Sequence, residues 1–134
     1  MTSKLSFAHL LACLALAMPL GAAANPILEA YRTQAKQEDA AFKDFSIAAG
    51  QQFYSTKGAE LSCASCHTDS PKLEGKHVKT NKVIAPMAPS VNPKRFSDAA
   101  NVEKWFKRNC NDVLHRVCSA QEKGDFMSYV LSAK

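Results

Sequence analysis

The apolar positions of the chain recur mostly at helical spacing. Asn25 followed by Pro26 is typical of a helix start, and a helical pattern runs from there to about Tyr54 with one gap. A second helical pattern begins at Ser97, and a third covers residues 121–132. No alternating run is long enough to indicate a sheet, so the sequence predicts an all-α fold. The apolar positions concerned are Leu28, Tyr31, Ala35, Phe42, Phe45, Ile47, Gly50 and Tyr54, then Val102, Trp105, Phe106 and Val113, and finally Phe126, Tyr129 and Val130.

Residues 68–96, between the first and second helical patterns, have no periodicity and contain four prolines and one glycine. An irregular connection of this length is unusual in a compact domain. We expect it where a segment wraps a large apolar ligand instead of packing on protein alone.

The first 24 residues are typical of an export signal. Lys4 precedes an apolar run from Leu10 to Leu20, and small residues follow up to Ala24. We therefore expect residues 1–24 to be a cleaved signal peptide and residues 25–134 to be one periplasmic domain. The apolar run is too short to span a membrane, so we expect the mature protein not to span one. Cys13 lies inside the run and not after it, which argues against lipidation.

The charge of the chain is moderately basic, with 17 Lys and Arg against 12 Asp and Glu. Loss of residues 1–24 removes one lysine and leaves 16 basic residues, a charge of +4. Such an excess favours an acidic partner surface by steering, although an ordinary solvated surface explains it equally well. No basic run interleaved with aromatic residues indicates nucleic-acid binding.

The sequence Cys63-Ala64-Ser65-Cys66-His67 is the attachment signature of c-type haem. Two thiols at this spacing reach the two vinyl groups of the porphyrin, and the adjacent histidine lies under the iron as the proximal ligand. The motif therefore predicts one covalent haem c, bound through Cys63 and Cys66 with His67 on the iron.

Three alternatives explain this motif less well. A zinc half-site lacks a second such pair, because the two remaining cysteines of the mature chain are eight residues apart. A thioredoxin-like redox pair lacks the alternation of strands and helices of that fold. A disulfide between Cys63 and Cys66 would be strained and would leave His67 unexplained.

The other axial position of the iron has four candidates. Met87 lies in a proline-flanked loop of the kind that supplies a thioether ligand, whereas His77 and His115 are expected at the surface. Asn109 shares the apolar side of its helix with Phe106, and a buried asparagine costs a few kcal/mol unless its amide is hydrogen-bonded. On the residues alone, Asn109 is either a core asparagine bonded to backbone or a ligand. Trp105 and Phe106 are expected to pack against the macrocycle.

Most of the mature chain resembles the oxygen-binding cytochromes c called sphaeroides haem proteins. The resemblance extends from about Gly50 to Val130 and implies a class I cytochrome c-like fold. It rests on Ala85-Pro86-Met87-Ala88-Pro89-Ser90, on Asn92-Pro93-Lys94-Arg95-Phe96, and on Trp105-Phe106-Lys107-Arg108-Asn109-Cys110-Asn111-Asp112-Val113-Leu114 with Cys118.

The resemblance also implies roles for particular residues. In that family an asparagine followed directly by cysteine is the distal iron ligand, which corresponds to Asn109, and the cysteine is disulfide-bonded, which corresponds to Cys110 and Cys118. The loop methionine, Met87 here, is not used. An amide oxygen is a hard donor that suits ferric iron and not ferrous iron, so reduction is expected to release Asn109.

The expected function is electron transfer combined with binding of O2 or NO at ferrous haem. The resemblance implies a dihaem cytochrome c and a membrane b-type cytochrome as redox partners. The alternative is a plain His/Met electron shuttle that uses Met87. An enzyme, such as a reductase of a small nitrogen oxide or an oxidase, stays open, although no convincing acid–base pair surrounds the site in the sequence.

Overall fold

The structure, a computed structural model, describes residues 24–134. The expected signal peptide therefore lies outside the described residues, apart from Ala24. The described residues form five helices and two very short strands, and the predicted all-α fold class is confirmed. The elements are α1 (Pro26–Glu38), α2 (Ile47–Ser55), α3 (Ala64–His67), β1 (Gly75–Lys76), β2 (Val83–Ile84), α4 (Ala99–Leu114) and α5 (Ala120–Ser132).

The first helical pattern is interrupted between α1 and α2. Helix α1 starts as predicted, because the Asn25 side chain accepts hydrogen bonds from two backbone N–H groups of the first turn. The predicted continuation of this helical pattern through Phe42 and Phe45 is wrong, because α1 ends at Glu38. The chain restarts as α2 where the Ser46 side chain caps the helix.

The starts of α4 and α5 differ slightly from the sequence predictions. Asp98, and not Ser97, caps α4 by accepting a hydrogen bond from the N–H of Asn101. Helix α5 begins one residue before the predicted boundary, after a capping box formed by Ser119 and Glu122.

Helix α5 packs against both α1 and α2 and forms the centre of the core. At the crossing with α2, a side chain on Gly50 would place its Cβ 1.9 Å from the carbonyl oxygen of Asp125. Only glycine permits this approach. Tyr54, Met127 and Val130 are the largest fully buried side chains.

A buried lysine on α5 connects α4 and α1. The Nζ of Lys123, which is 5 % exposed, donates to the Glu103 carboxylate on α4 at 2.6 Å. The hydroxyl of Tyr31 on α1 donates to the other oxygen of that carboxylate at 2.7 Å. These two bonds fix the position of α4 relative to the α1–α5 pair.

The segment 68–96 contains one short antiparallel pair. Gly75 faces Ile84, and Lys76 faces Val83. The expectation of no sheet is wrong in this detail, because two-residue strands leave no alternating pattern to detect. Within residues 24–134, no helix combines the length and the apolar character that a membrane span requires.

Candidate haem site

The haem-attachment signature forms a single helical turn. Cys63 precedes α3, and the N–H of His67 donates to the Cys63 carbonyl at 3.0 Å. Thr68 then takes a positive φ of 63°, which ends the turn. The turn places Cys63, Cys66 and His67 together within five consecutive residues.

Two residues to which the sequence analysis gave no role at the haem site support this turn. The fully buried Tyr54 donates its hydroxyl to the carbonyls of His67 (3.1 Å) and Thr68 (2.7 Å). Gly75 lies against the other side, where an added Cβ would be 2.0 Å from the Cys66 carbonyl oxygen. The glycine in an irregular segment was a usable signal, whereas nothing in the local sequence of Tyr54 indicates this role.

The protonation chemistry of the turn suits iron ligation by His67. Cys63 and Cys66 are both free thiols. Burial raises the pKa of the Cys63 thiol to about 11, and burial, with a smaller contribution from the nearby Arg95 cation, lowers the pKa of His67 to about 4. His67 is therefore neutral at physiological pH, which is the form of imidazole that binds a metal.

The loop that carries Met87 is tied to the segment following the turn. The carbonyl of Pro71 accepts hydrogen bonds from the N–H groups of Met87 and Ala88, both at 2.8 Å. Arg95 donates to the carbonyl of Pro86 (3.0 Å), which the Asn92 amide also reaches (2.9 Å). Met87 is half-buried and packs against the core cluster.

Asn109 is exposed, so its predicted position near the centre of a buried face is wrong. The buried face of α4 consists of Val102, Phe106 and Cys110 and is centred on Phe106. Asn109 lies on the adjacent flank, one turn after Trp105. Trp105 is 42 % exposed and Phe106 is 8 % exposed. Their packing against the macrocycle stays a prediction.

The residue after Asn109 forms the disulfide that the family resemblance implies. Cys110 and Cys118 are bonded, and both are about 95 % buried. The bond closes the end of α4 onto the start of α5, with His115 between them in the left-handed conformation (φ 54°). His115 is exposed, as predicted.

His77 is not freely solvated as expected. It is half-buried, and its Nδ1 accepts hydrogen bonds from the N–H groups of Lys79 (3.3 Å) and Thr80 (3.2 Å). The Nδ1 of His77 therefore makes its hydrogen bonds within its own loop.

The residues present fit a covalently attached haem. Two free thiols and a neutral imidazole share one turn, while the other two cysteines of the domain are already paired. The zinc alternative gains no further ligands: across residues 24–134, no group of three or more His, Cys, Asp or Glu side chains is placed to hold a metal ion. The fold and the donor set define a c-type cytochrome.

A comparison with protein families agrees with this class. Residues 40–130 match the family described as domain of unknown function DUF1924, and the chain belongs to that family. Cytochrome c'' of Methylophilus methylotrophus is 41 % identical over 109 residues, which are 81 % of this chain and 69 % of the relative. Cytochrome c-type protein SHP of Cereibacter sphaeroides is 46 % identical over 69 residues, which are 52 % of this chain and about half (53 %) of that relative.

Solved structures of both relatives share the fold. Oxidized cytochrome c'' superposes with a TM-score of 0.75 at 38 % identity, covering 81 % of this chain and 93 % of its own. Its solution structure, which addresses haem-ligand detachment, gives 0.72 at 39 % identity, covering 80 % and 90 %. Oxidized SHP, an oxygen-binding cytochrome c, gives 0.70 at 32 % identity, covering 78 % and 92 %. The chain is therefore a cytochrome c homologue with one covalent haem c.

Proposed function

We propose that this chain is an exported, periplasmic cytochrome c that exchanges electrons and binds O2 or NO at ferrous haem after Asn109 leaves the iron. In this proposal Cys63 and Cys66 form the thioether bonds and His67 is the proximal ligand. Export rests on the signal-like residues 1–24, with cleavage between Ala24 and Asn25.

The observation that carries this proposal is the disulfide that follows Asn109 on α4. Cys110 is buried and bonded to Cys118, as the family resemblance implies for the residue after the distal ligand. The disulfide holds the backbone of α4 beside Asn109, so the side chain can leave the iron while the helix keeps its place.

The chemistry of the amide supplies the dependence on oxidation state. When bound, the haem supplies an iron that alternates between the ferric and ferrous states and has two axial positions. The oxygen of the Asn109 side chain is a hard donor, which stabilises the ferric state more than the ferrous state. Reduction therefore weakens the contact and frees an axial position for a diatomic ligand.

The relatives support both parts of the proposal. SHP is an oxygen-binding cytochrome c, and cytochrome c'' is a protein in which detachment of a haem ligand has been addressed structurally. This chain has 32 % or more sequence identity with each in structural superposition. The proposed redox partners are a dihaem cytochrome c and a membrane b-type cytochrome, as the family resemblance implies.

The second candidate function is an electron shuttle in which Met87 is the distal ligand. Met87 is half-buried in a loop that backbone and side-chain hydrogen bonds hold in place. A loop held in this way suits a ligand that stays on the iron in both oxidation states. A thioether also stabilises ferrous iron, so such a protein would keep six ligands in both oxidation states.

A pair of matched variants distinguishes the two candidates. Asn109→Ala and Met87→Ala are each compared with the parent protein by optical and electron paramagnetic resonance spectra of the ferric state. We expect Asn109→Ala to become high-spin or water-ligated, and Met87→Ala to keep the parent spectrum. An unchanged low-spin spectrum of Asn109→Ala would exclude Asn109 as the ligand. If only Met87→Ala becomes high-spin or water-ligated, the result would establish Met87 as the distal ligand and the protein as an electron shuttle.

A further inference from the structure

Trp105 is the only tryptophan of the chain, and its large apolar side chain is exposed on α4. At about 100° per residue, Trp105 and Asn109 are about 40° apart around the helix and about 6 Å apart along its axis. Both lie on the same flank of the buried face, which is centred on Phe106. Lys107 is exposed at the matching angle on the opposite flank. The one indole of the chain therefore lies beside the proposed distal ligand.

A neighbouring cation holds the indole against the surface of α4. The guanidinium carbon of Arg108 lies 5.5 Å from the centroid of the Trp105 ring, which is a cation–π contact. The Nε of Arg108 also lies 3.7 Å from a carboxylate oxygen of Asp112, one turn further along the helix. These two contacts restrict the indole to the flank that Asn109 occupies.

The direction of helical side chains places the Asn109 amide over Trp105. Side chains of an α-helix point back toward its N-terminus, so each residue covers the turn before its own Cα. Residues four apart are also neighbours on the helix surface. The side chain of Asn109 therefore extends over the turn that carries Trp105. When the amide oxygen leaves the iron, the indole borders the axial position that becomes free.

We propose that Trp105 controls which ligands reach the axial position of the iron that Asn109 leaves. The indole covers this position, admits a diatomic molecule and obstructs a larger ligand. In the exchange, the bond from the Asn109 oxygen to the iron breaks and a bond from the incoming ligand forms. The ligand supplies the electron pair of the new bond, the amide oxygen keeps its own, and no proton is transferred. The gate rests on the proposed binding of O2 or NO and adds the size of ligand that the site accepts.

The test measures ligand association with the reduced, haem-loaded protein in Trp105→Ala, Trp105→Phe and the control Lys107→Ala. The probes are carbon monoxide and n-butyl isocyanide, two uncharged ligands of ferrous haem that differ in size. We expect Trp105→Ala to bind n-butyl isocyanide at least about 10-fold faster than the parent, and carbon monoxide less than about 3-fold faster. Trp105→Phe should give intermediate rates because its ring is smaller, and Lys107→Ala should keep both parent rates.

Two outcomes of these rate measurements would overturn the gate. Equal acceleration of both ligands in Trp105→Ala would show a general loosening of the distal side and no control of ligand size. Unchanged rates in Trp105→Ala would show that the indole does not cover the axial position. Unchanged rates are the result expected of a tryptophan that is exposed only for contact with another protein.

A second readout does not depend on gas binding. Because the chain has one tryptophan, the isotopically labelled protein gives one indole N–H signal, which is assigned by its loss in Trp105→Phe. We expect reduction of the ferric protein to move this signal by more than the amide signal of Lys107, because the spin state of the iron changes beside the indole. An indole signal that stays in place would overturn the position of Trp105 at the distal side. A ferrous parent protein that does not bind carbon monoxide would instead refute the proposed function, and the gate with it.

Discussion

Tyr54→Phe is a direct test of how the fold holds the haem-attachment turn. The change removes one hydroxyl from a side chain that is 0 % exposed and leaves the ring in place. That hydroxyl donates to the carbonyls of His67 and Thr68. Burial raises the pKa of Tyr54 well above its usual range, so the hydroxyl is a donor at every ordinary pH.

The hydroxyl has a single hydrogen, which the two carbonyls share. Its removal leaves buried acceptors without a donor, so the variant should lose about 1–3 kcal/mol of unfolding free energy. For a described domain of about 110 residues, this corresponds to a decrease in Tm of roughly 4–13 °C. The loss should not depend on pH between about 5 and 9, because the hydroxyl does not titrate there.

The measurement is urea unfolding of the haem-loaded protein, with Tyr129→Phe as the matched control. The ring of Tyr129 lies 5.4 Å from that of Tyr54, but Tyr129 is only half-buried and its hydroxyl does not support the turn. We expect the control to change stability by less than about 0.5 kcal/mol. Equal losses in the two variants would refute the argument that the Tyr54 hydrogen bonds hold this backbone.

Three further changes test other parts of the structure. Gly75→Ala should lower stability by about 1–3 kcal/mol in urea unfolding, because its Cβ meets the Cys66 carbonyl; a fully stable variant would contradict this contact. Burial favours a raised pKa for Glu103, but hydrogen bonds from Lys123 and Tyr31 outweigh it and the pKa lies below 4.5. The charged carboxylate therefore stabilises the fold above pH 4.5, and this contribution is lost as the pH falls through the folded pKa. Glu103→Gln should reduce the acid dependence of urea unfolding, and an unchanged profile would exclude this role. Cys118→Ser opens the disulfide and should lower the unfolding free energy by about 2–3 kcal/mol by the chain-entropy model. The same change should raise the high-spin fraction of the ferric spectrum. An unchanged spectrum would show that the disulfide does not position α4.

The helices that follow local rules could be predicted from the sequence. Asn25 and Pro26 start α1 as expected, because the cap and the proline act within one turn. The break between α1 and α2 could not be predicted from local spacing. The N–H of Ser46 donates to Asp125, 79 residues away, and this tertiary bond fixes the start of α2.

The candidate site was predictable in its chemistry and less so in its geometry. Cys63, Cys66 and His67 are adjacent in sequence, so their spacing alone indicates the group they hold. Asn109 was placed near the centre of the buried face because Trp105 was counted among the core positions; the buried residues Val102, Phe106 and Cys110 are centred on Phe106, and Asn109 lies on the flank. The support from Tyr54 leaves no local pattern, whereas Gly75 in an irregular segment was a usable signal.

The measurement that tests the central claim most directly is the spectrum of the ferrous protein before and after addition of carbon monoxide. If Asn109 leaves on reduction, the ferric haem is low-spin, the ferrous haem is high-spin with five ligands, and carbon monoxide binds without having to displace a protein ligand. A ferrous haem that stays low-spin and does not react with carbon monoxide would contradict the account and would favour Met87 as a permanent ligand.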